Sequence, residues 1–228
     1  MNNKLTDIFQ LLHDRFGPQH WWPGDTRLEI IVGAVLTQNT NWTNASRAID
    51  NLKAENLLSL ESLLTLPTDY LALKIRSSGY YNQKAVRLKN LIRLLVGSCD
   101  PEFYERRREE NELDDEACLD LFFAEETVSV RNRLLALKGI GPETADSILL
   151  YAGDKPVFVV DAYTHRFLAR HSLIPEEAGY DEIQDLFISG LPEDLALFNE
   201  YHALIVRLGK EFCKKSEPLC AECPLRDV

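Results

Sequence analysis

Residues 137–146, Leu137-Lys-Gly-Ile-Gly-Pro-Glu-Thr-Ala-Asp146, decide the fold of this chain of 228 residues. An apolar helical segment ends at Leu137, two glycines flank Ile140, and Pro142 opens the next helix at a position that needs no backbone donor. Glycine permits a positive φ and lets another backbone come close. The segment therefore predicts two helices joined by a tight hairpin, with Ile140 inserted between them.

A hairpin of this kind can bind phosphate, because it directs backbone amides at one point and adds the dipole of the following helix. We therefore expect Lys138, Gly139, Ile140 and Gly141 to bind a phosphate group. A plain connection between two helices is the alternative, and Gly-x-Gly alone is weak support against it. The surrounding lysine, proline, threonine and alanine make the pattern more specific.

Helical periodicity extends over the rest of the chain. Apolar residues at 85, 86, 88, 91, 92, 94 and 95 predict an amphipathic helix over 82–96. The strand-like run 157–160 is equally well explained as a buried segment that leads into a helix. The fold class is predicted to be all-α. The other predicted helices cover residues 1–17, 28–36, 43–52, 57–64, 70–75, 116–124, 128–137, 142–151, 162–170, 180–186 and 194–208.

The overall charge of −11 is unevenly distributed. Residues 100–126 hold 12 acidic residues and three arginines, a net −9, which leaves −2 for the rest of the chain. A nearly neutral body can present a basic face, so nucleic-acid binding is not excluded, and the acidic run is interpreted as a solvated loop or helix face. With no long apolar stretch and an amphipathic start, we expect no membrane span, no signal peptide and a cytoplasmic location.

A carboxylate directly follows the apolar run 157–160, in the segment Val157-Phe-Val-Val-Asp-Ala-Tyr-Thr-His-Arg166. Asp161 stands at a predicted helix start, where amide donors and the helix dipole keep a carboxylate ionised. Asp161 is therefore either a reactive carboxylate or an ordinary helix N-cap, and the spacing alone favours the N-cap.

Three cysteines close the chain in the pattern Cys213-x6-Cys220-x2-Cys223. Clustered thiols in a cytosolic protein indicate metal or cluster ligation rather than disulfides, and four thiolates are usual for a [4Fe–4S] centre. The remaining cysteines, Cys99 and Cys118, are interpreted as small buried apolar residues.

Together these motifs resemble those of the helix-hairpin-helix DNA glycosylase superfamily, in its endonuclease III group. The resemblance extends from Trp21 to Leu225 and rests on LTQNT at 36–40, GYYNQKA at 79–85, LKGIGPETAD at 137–146, VVDAYTHR at 159–166 and the cysteine pattern. It implies two helical domains with a DNA-binding cleft between them. Residues 24–155 would form a six-helix domain with the helix-hairpin-helix at 128–151. Residues 1–23 and 156–228 would form the second domain, with the cysteine-rich tail.

The resemblance also implies roles for single residues. Asp161 matches the catalytic aspartate, Gln38 the residue that fills the gap left by a flipped base, and Tyr80 the wedge that enters the base stack. Helix capping remains the alternative for Gln38 and Asn39, and a surface aromatic for Tyr80. Double-stranded damaged DNA is the implied partner of a monomeric protein.

The cysteines match three ligands of a C-x6-C-x2-C-x5-C cluster motif, and the fourth would fall at position 229, beyond Val228. The missing fourth cysteine has three explanations: a truncated chain, a ligand other than cysteine, or a relic of the motif that holds no metal. A [4Fe–4S] cluster in a structural role, clamping the C-terminal loop against the N-terminal helix and remote from Asp161, is the expectation that we carry forward.

One departure from the family pattern concerns the reaction type. Glu143 stands where members that also cleave the backbone have a lysine, and a carboxylate cannot form a Schiff base with deoxyribose. Lys138 lies on the wrong side of the hairpin to replace that lysine easily. The chain is instead similar to bacterial 3-methyladenine DNA glycosylases of the endonuclease III type, through Trp21-Trp22-Pro23, LTQNT followed by Trp42, GIGPETAD and VVDAY.

We therefore expect a monofunctional DNA glycosylase of base excision repair without abasic-site lyase activity. It would flip out alkylated purines such as 3-methyladenine and hydrolyse the N-glycosidic bond. Trp21, Trp22, Trp42 and Glu143 would line the base pocket, with core packing as the alternative for the tryptophans. The alternative functions are an endonuclease III-like glycosylase for oxidised pyrimidines and a non-catalytic DNA-binding protein.

Overall fold

The computed structural model describes residues 2–98 and 115–228 of the chain. Over these two ranges it contains twelve α-helices, two short 3-10 turns and no β-strand, which confirms the predicted all-α class. The helices are α1 (Asn2–Phe16), α2 (Arg27–Leu36), α3 (Trp42–Ala54), α4 (Leu60–Thr65), α5 (Thr68–Lys74), α6 (Tyr81–Val96), α7 (Asp115–Phe123), α8 (Thr127–Leu135), α9 (Pro142–Tyr151), α10 (Ala162–Arg170), α11 (Tyr180–Gly190) and α12 (Leu195–Glu211).

Helices α2–α9 belong to a compact unit formed by Pro23–Gly153. Its central helix is α2, where eight of ten residues are buried. The helix begins after Thr26, whose hydroxyl oxygen accepts a hydrogen bond from the amide of Glu29 at 3.2 Å. Helix α6 packs one apolar face into this unit through Leu88, Ile92 and Leu95. Each fully buried side chain of this size contributes roughly 1.5–3 kcal/mol of transfer free energy.

The second unit joins Met1–Trp22 to Asp154–Val228 and contains α1 and α10–α12. Leu5, Ile8 and Leu12 repeat at helical spacing on α1 and are buried. Tyr201 on α12 donates its hydroxyl hydrogen to the carbonyl of Leu5 at 2.9 Å, which joins the two helices at a buried point. The ring of Phe158 stacks on another aromatic of this core with centroids 3.8 Å apart.

The apolar run 157–160 is an extended segment without strand pairing. Phe158, Val159 and Val160 are buried, and side chains of α11 bind the backbone of the run. Gln184 donates to the carbonyl of Phe158 at 2.6 Å, and the amide of Val160 donates to the hydroxyl of Tyr180 at 3.4 Å. These side chains supply the hydrogen-bond partners that a neighbouring strand would otherwise give to the backbone of the run. The run then leads directly into α10.

Several predicted boundaries need correction. The helix expected over 57–64 begins at Leu60, because Ser59 caps it by accepting a hydrogen bond from the amide of Ser62 at 3.1 Å. The helices expected to end at 186 and 208 continue to Gly190 and Glu211. Within the described ranges, no helix combines the length and apolar character that a membrane crossing requires.

The described part of the acidic run, residues 115–126, agrees with its interpretation as a solvated helix face. Cys99 and residues 100–114 lie outside the described residues. Residues 115–123 form α7, which buries Cys118, Leu119 and Phe122 against its unit. The burial of Cys118 agrees with its interpretation as a small apolar residue. This part of the acidic run is therefore an amphipathic helix with a solvated acidic face, on which the side chain of Asp120 is 73% exposed.

Candidate active site

The predicted hairpin joins α8 to α9. Ile140 is buried at its tip, and Gly141 is the N-cap of α9 in an extended conformation, with Pro142 at the first helical position. The two helices are held together by Arg131 and Asp146, whose side chains form two hydrogen bonds of 2.7 and 3.0 Å. Asp146 is completely buried. Asp146, the last residue of the hairpin motif, therefore forms an internal ion pair with Arg131. The spacing of residues in the sequence did not reveal this partner.

Gly139 occupies a position that only glycine fills without strain. Its φ is +93°, and a Cβ atom built on it would lie 2.3 Å from Nε of Arg87. The Arg87 guanidinium donates to Oε1 of Gln38 at 2.5 Å. Nε2 of Gln38 donates to the Gly139 carbonyl at 3.1 Å and to the Thr144 hydroxyl at 2.8 Å. The two sequence motifs that contain Gln38 and the hairpin are therefore joined by side-chain hydrogen bonds.

A cavity of about 690 Å³ lies beside the hairpin loop. It offers two cationic side chains and three carboxamides but no carboxylate among its lining residues, which suits an anionic ligand. Lys138 was expected here from the sequence, whereas Arg87 and the carboxamides were not. The residues that line it are Asn82, Gln83, Val86, Arg87, Asn90, Lys138 and Gly139.

The segments that carry Gln38 and Tyr80 are joined by a buried lysine. Lys84 donates from Nζ to the carbonyls of Leu36 at 2.8 Å and Ser78 at 2.6 Å. Burial, together with the nearby positive charge of Arg87, lowers the pKa of Lys84 to about 8. Tyr80 itself is 67% exposed and has a positive φ of 45° as the N-cap of α6.

The remaining predicted residues of this unit lie at helix starts or turns. Asn39 has a positive φ of 53° in the turn after α2. Asn41, rather than Asn39, caps α3, by accepting a hydrogen bond from the amide of Asn44 at 3.0 Å. Trp42 is the half-buried first residue of α3. Glu143 is exposed in the first turn of α9.

Asp161 is the N-cap of α10 in the other unit. Its Oδ1 accepts hydrogen bonds from the amides of Tyr163 at 3.0 Å and Thr164 at 2.7 Å, and from the Thr164 hydroxyl at 2.9 Å. The capping interpretation is therefore correct for this oxygen. It does not exclude a chemical role, because the second oxygen takes no part in these bonds.

The second oxygen of Asp161, Oδ2, lies 3.6 Å from Nε2 of His202 on α12. Burial by itself would raise the pKa of the Asp161 carboxyl. The neighbouring His202 and the hydrogen bonds from Thr164 outweigh that effect and hold the pKa below its ordinary value. The carboxylate is therefore ionised at neutral pH although its side chain is only 11% exposed. His202 was not identified from the sequence.

Trp21 and Trp22 belong to the same unit as Asp161 and are both half-buried. Their rings meet edge to face, with centroids 5.4 Å apart and an interplanar angle of 62°. The ammonium of Lys210 lies 5.4 Å from the ring centroid of Trp21. Because this cation covers one face of Trp21, a stacked base would use another aromatic face of the pair.

The three cysteines of the C-terminal pattern line a single cavity of about 380 Å³. Cys213 and Cys223 are buried and Cys220 is exposed, and none of the three is in a disulfide. Arg170 on α10 donates to Sγ of Cys213 at 3.3 Å. Burial raises the pKa of the Cys223 thiol, and the other two cysteines raise it further.

The cavity gathers thiol donors of the kind that a [4Fe–4S] cluster takes, with one thiolate on each iron. Within the described ranges, no three histidine, cysteine or acidic side chains surround one ion position. Cys213, Cys220 and Cys223 supply three such donors. The other described cysteine, Cys118, is buried in α7 of the other unit.

The chain is similar to known proteins over most of its length. The model of the HhH-GPD superfamily base excision DNA repair protein matches residues 32–193. A protein of Methanocaldococcus jannaschii named as a candidate DNA repair glycosylase is 46% identical over 220 residues, which cover 96% of this chain and 93% of that protein.

Two solved structures have a similar fold. The Helicobacter pylori 3-methyladenine DNA glycosylase MagIII bound to 1,N6-ethenoadenine is 33% identical, with a TM-score of 0.70 over 92% of this chain and 95% of that chain. A trapped covalent intermediate of endonuclease III with DNA has a TM-score of 0.77 over 99% of this chain and 93% of that chain, at 18% identity. The second similarity concerns the fold alone.

Proposed function

The chain belongs to the HhH-GPD superfamily of base excision DNA repair proteins and is a DNA glycosylase, and we propose that it hydrolyses the N-glycosidic bond of alkylated purines without cleaving the DNA backbone. The observation that carries the proposal is the buried, ionised carboxylate of Asp161. The similarity to a 3-methyladenine DNA glycosylase at 33% identity supports the substrate class.

Asp161 suits a hydrolytic role because its two oxygens are differently engaged. Oδ1 is held by the three capping hydrogen bonds, which fix the position of this oxygen and favour the charged form of the carboxyl. As the bond from the sugar to the base breaks, the electron pair leaves with the base and positive charge develops on the sugar. Asp161 stabilises that charge and positions the water that adds to C1′, as carboxylates do in glycoside hydrolysis.

Alkylation lowers the demand on the enzyme. A 3-alkylated adenine carries positive charge and is already a good leaving group, so the site needs no strong acid to protonate it. A damaged base is also cheaper to unstack than an intact one. Trp21 and Trp22 are proposed to receive the flipped base. For Trp42 and Glu143 a role in the base pocket rests on the family resemblance.

The identity of residue 143 supports hydrolysis without strand cleavage. A glycosylase that also acts as a lyase needs an amine to attack the sugar and form a Schiff base. Glu143 supplies a carboxylate in the first turn of α9. Lys138 lines the cavity between the hairpin loop and α6, where a role in phosphate binding is the simpler assignment.

The hairpin and the neighbouring cavity are proposed to bind the DNA backbone. Gly141 offers no side-chain acceptor to the first-turn amides of α9, so this helix start can receive a phosphate oxygen instead. Lys138 and Arg87 add positive charge beside it. Tyr80, which is exposed, is proposed to enter the base stack, and Gln38 and Asn39 are proposed to face the gap left by the flipped base.

The cysteine cavity is proposed to hold a [4Fe–4S] cluster through Cys213, Cys220 and Cys223. When bound, the cluster would join the C-terminal loop to α10 through shared contacts with Cys213. Arg166 donates to the Cys213 carbonyl at 2.7 Å and Arg170 donates to its sulfur, which ties this loop to α10. Phe212, next to Cys213, has its ring centroid 6.1 Å from that of Phe16 at the end of α1, so the clamp against the N-terminal helix remains part of the proposal. Iron and acid-labile sulfide per chain, measured on anaerobically purified protein, test this assignment. Colourless, iron-free protein with full glycosylase activity would contradict it.

A base-release assay on methylated duplex DNA tests the proposed function, with the free bases separated by chromatography. We expect the release of 3-methyladenine, no strand cleavage and no covalent DNA adduct after borohydride reduction. Asp161→Asn keeps the shape of the side chain but removes its charge. This variant should lose base release while retaining binding to damaged duplex. Full activity of Asp161→Asn, or an adduct trapped by borohydride, would overturn the corresponding part of the proposal.

A further inference from the structure

The environment of His202 is unusual for a histidine. The residue is 5% exposed on α12, and its neighbours on the same helix face, Phe198 and Ile205, are buried and apolar. Burying a polar ring in such surroundings is unfavourable unless a polar or charged group faces it. The group that faces Nε2 is the Asp161 carboxylate at 3.6 Å.

The other charged side chains of these two helices have partners of their own. On α10, Arg166 binds the Cys213 carbonyl and Arg170 the Cys213 sulfur, while Nε2 of His165 lies 2.9 Å from the Glu176 carbonyl. On α12, Glu200 accepts from the amide of Gln19, Arg207 donates to Glu211, and Lys210 lies over Trp21. Helix α1 meets α12 through Leu5 and Phe9, both apolar. Among the ionisable groups of α10 and α12, His202 is therefore the one that faces Asp161.

We propose that His202 is a positioning residue that holds Oδ2 of Asp161 in the orientation required for base excision. Oδ1 is held by the start of α10, so a contact on Oδ2 completes the control of the carboxylate from a second helix. At 3.6 Å the contact is longer than an ordinary hydrogen bond, and we expect it to shorten when substrate is bound. The inference rests on the proposed catalytic role of Asp161.

Two variants separate positioning from simple packing. His202→Phe keeps an aromatic ring but removes the polar nitrogen, whereas His202→Gln keeps an N–H donor in a side chain of similar reach. We expect single-turnover base release to fall about 10–100-fold in His202→Phe and to stay within about fivefold of the wild type in His202→Gln. Binding should stay within about twofold for both.

The measurements use the full-length protein. Base release is followed on methylated duplex DNA, and binding on a duplex that contains a tetrahydrofuran abasic-site analogue. Thermal unfolding is recorded for each variant, and His202→Gln reports on the donor even if His202→Phe is poorly folded. A rate in His202→Phe equal to that of the wild type, or an equal loss in His202→Gln and His202→Phe, would overturn the positioning role.

The failure of this inference is distinguishable from the failure of the proposed function. If the wild type releases no base, or Asp161→Asn is fully active, the proposed function fails and the inference fails with it. If the wild type is active, Asp161→Asn is inactive and His202→Phe is unimpaired, only the role of His202 is refuted.

Discussion

The carboxamide nitrogen of Gln38 lies 2.8 Å from the hydroxyl oxygen of Thr144, across 106 positions of the chain. The same nitrogen donates to the Gly139 carbonyl, and the carboxamide oxygen accepts from Arg87. Gln38 therefore braces the hairpin through three hydrogen bonds. Any insertion of Gln38 into a base gap requires these three bonds to be exchanged for bonds to DNA.

Thr144→Val and Gln38→Ala distinguish the brace from a direct role in DNA. Thr144→Val removes one hydrogen bond to Gln38 and should lower the free energy of unfolding by about 0.5–1.5 kcal/mol. Gln38→Ala removes all three bonds and the side chain itself. If Gln38 also fills the base gap, single-turnover base release should fall about tenfold further in Gln38→Ala than in Thr144→Val. Equal rates in the two variants would leave Gln38 with the bracing role alone.

Gly139→Ala and Gly141→Ala form a matched pair of hairpin variants. Alanine at 139 must adopt a positive φ and displace Arg87 from its bond to Gln38, so we expect a loss of about 1–3 kcal/mol of stability and weaker duplex binding. Alanine at 141 meets no atom within 4 Å, so stability should be nearly unchanged. If Gly141 lies against a phosphate, Gly141→Ala alone should combine normal stability with weakened binding to duplex DNA. Chemical denaturation and fluorescence anisotropy provide the two measurements.

Arg131→Met tests the ion pair inside the hairpin. The substitution leaves the completely buried Asp146 without its guanidinium partner, and removing one member of a buried pair costs about 3–5 kcal/mol. Duplex binding should weaken with stability, because the angle between α8 and α9 is no longer held. The control in the same unit is Asp25→Asn, which alters an exposed pair with Lys53 and should change stability little, since solvent screens it. Similar losses in both variants would contradict the assignment.

Lys138→Gln tests whether the cavity beside the hairpin binds backbone phosphate. Removing one phosphate contact should weaken binding to damaged and undamaged duplex alike and reduce the slope of log affinity against log salt by about one. Lys4→Gln serves as the control, since Lys4 is exposed on α1 and has no proposed DNA contact. An unchanged salt slope in Lys138→Gln would reject the phosphate assignment.

Lys84 makes the stability of the chain depend on alkaline pH. Its pKa is about 8 in the folded chain against an ordinary 10.5. Below about pH 8 both states are protonated and the folded state bears the full cost of burying the charge. Between about 8 and 10.5 the unfolded state binds more protons, so the free energy of unfolding rises with pH, by about 3 kcal/mol in total from this group.

The check on this dependence is a comparison with Lys84→Met. This variant loses the two hydrogen bonds to the Leu36 and Ser78 carbonyls, so it should be less stable than the wild type at every pH. The difference in favour of the wild type should grow between pH 8 and 10.5. Denaturation curves at pH 7.5, 9 and 10.5 measure it, and a constant difference would show that Lys84 titrates at its ordinary pKa.

Local features of the sequence were sufficient for most of the fold. The predictions for 142–151 and 162–170 coincide with α9 and α10, because Pro142 and Asp161 mark helix starts and the apolar spacing runs to the helix ends. The hairpin, the burial of Ile140 and the capping role of Asp161 follow from the same local rules. Each depends on residues within about one helical turn, where capping and periodicity operate.

Only the tertiary structure decided which polar groups meet. His202 faces Asp161 across 41 positions, Gln38 reaches Thr144 across 106, and Arg87 covers Gly139. None of these pairs follows from spacing, because a contact between two helices depends on their packing and rotation rather than on their own sequences. The same is true of the cavity that gathers Cys213, Cys220 and Cys223. The sequence by itself determined the helices and the reactive residue types, and the packing of those helices determined the partners that control their chemistry.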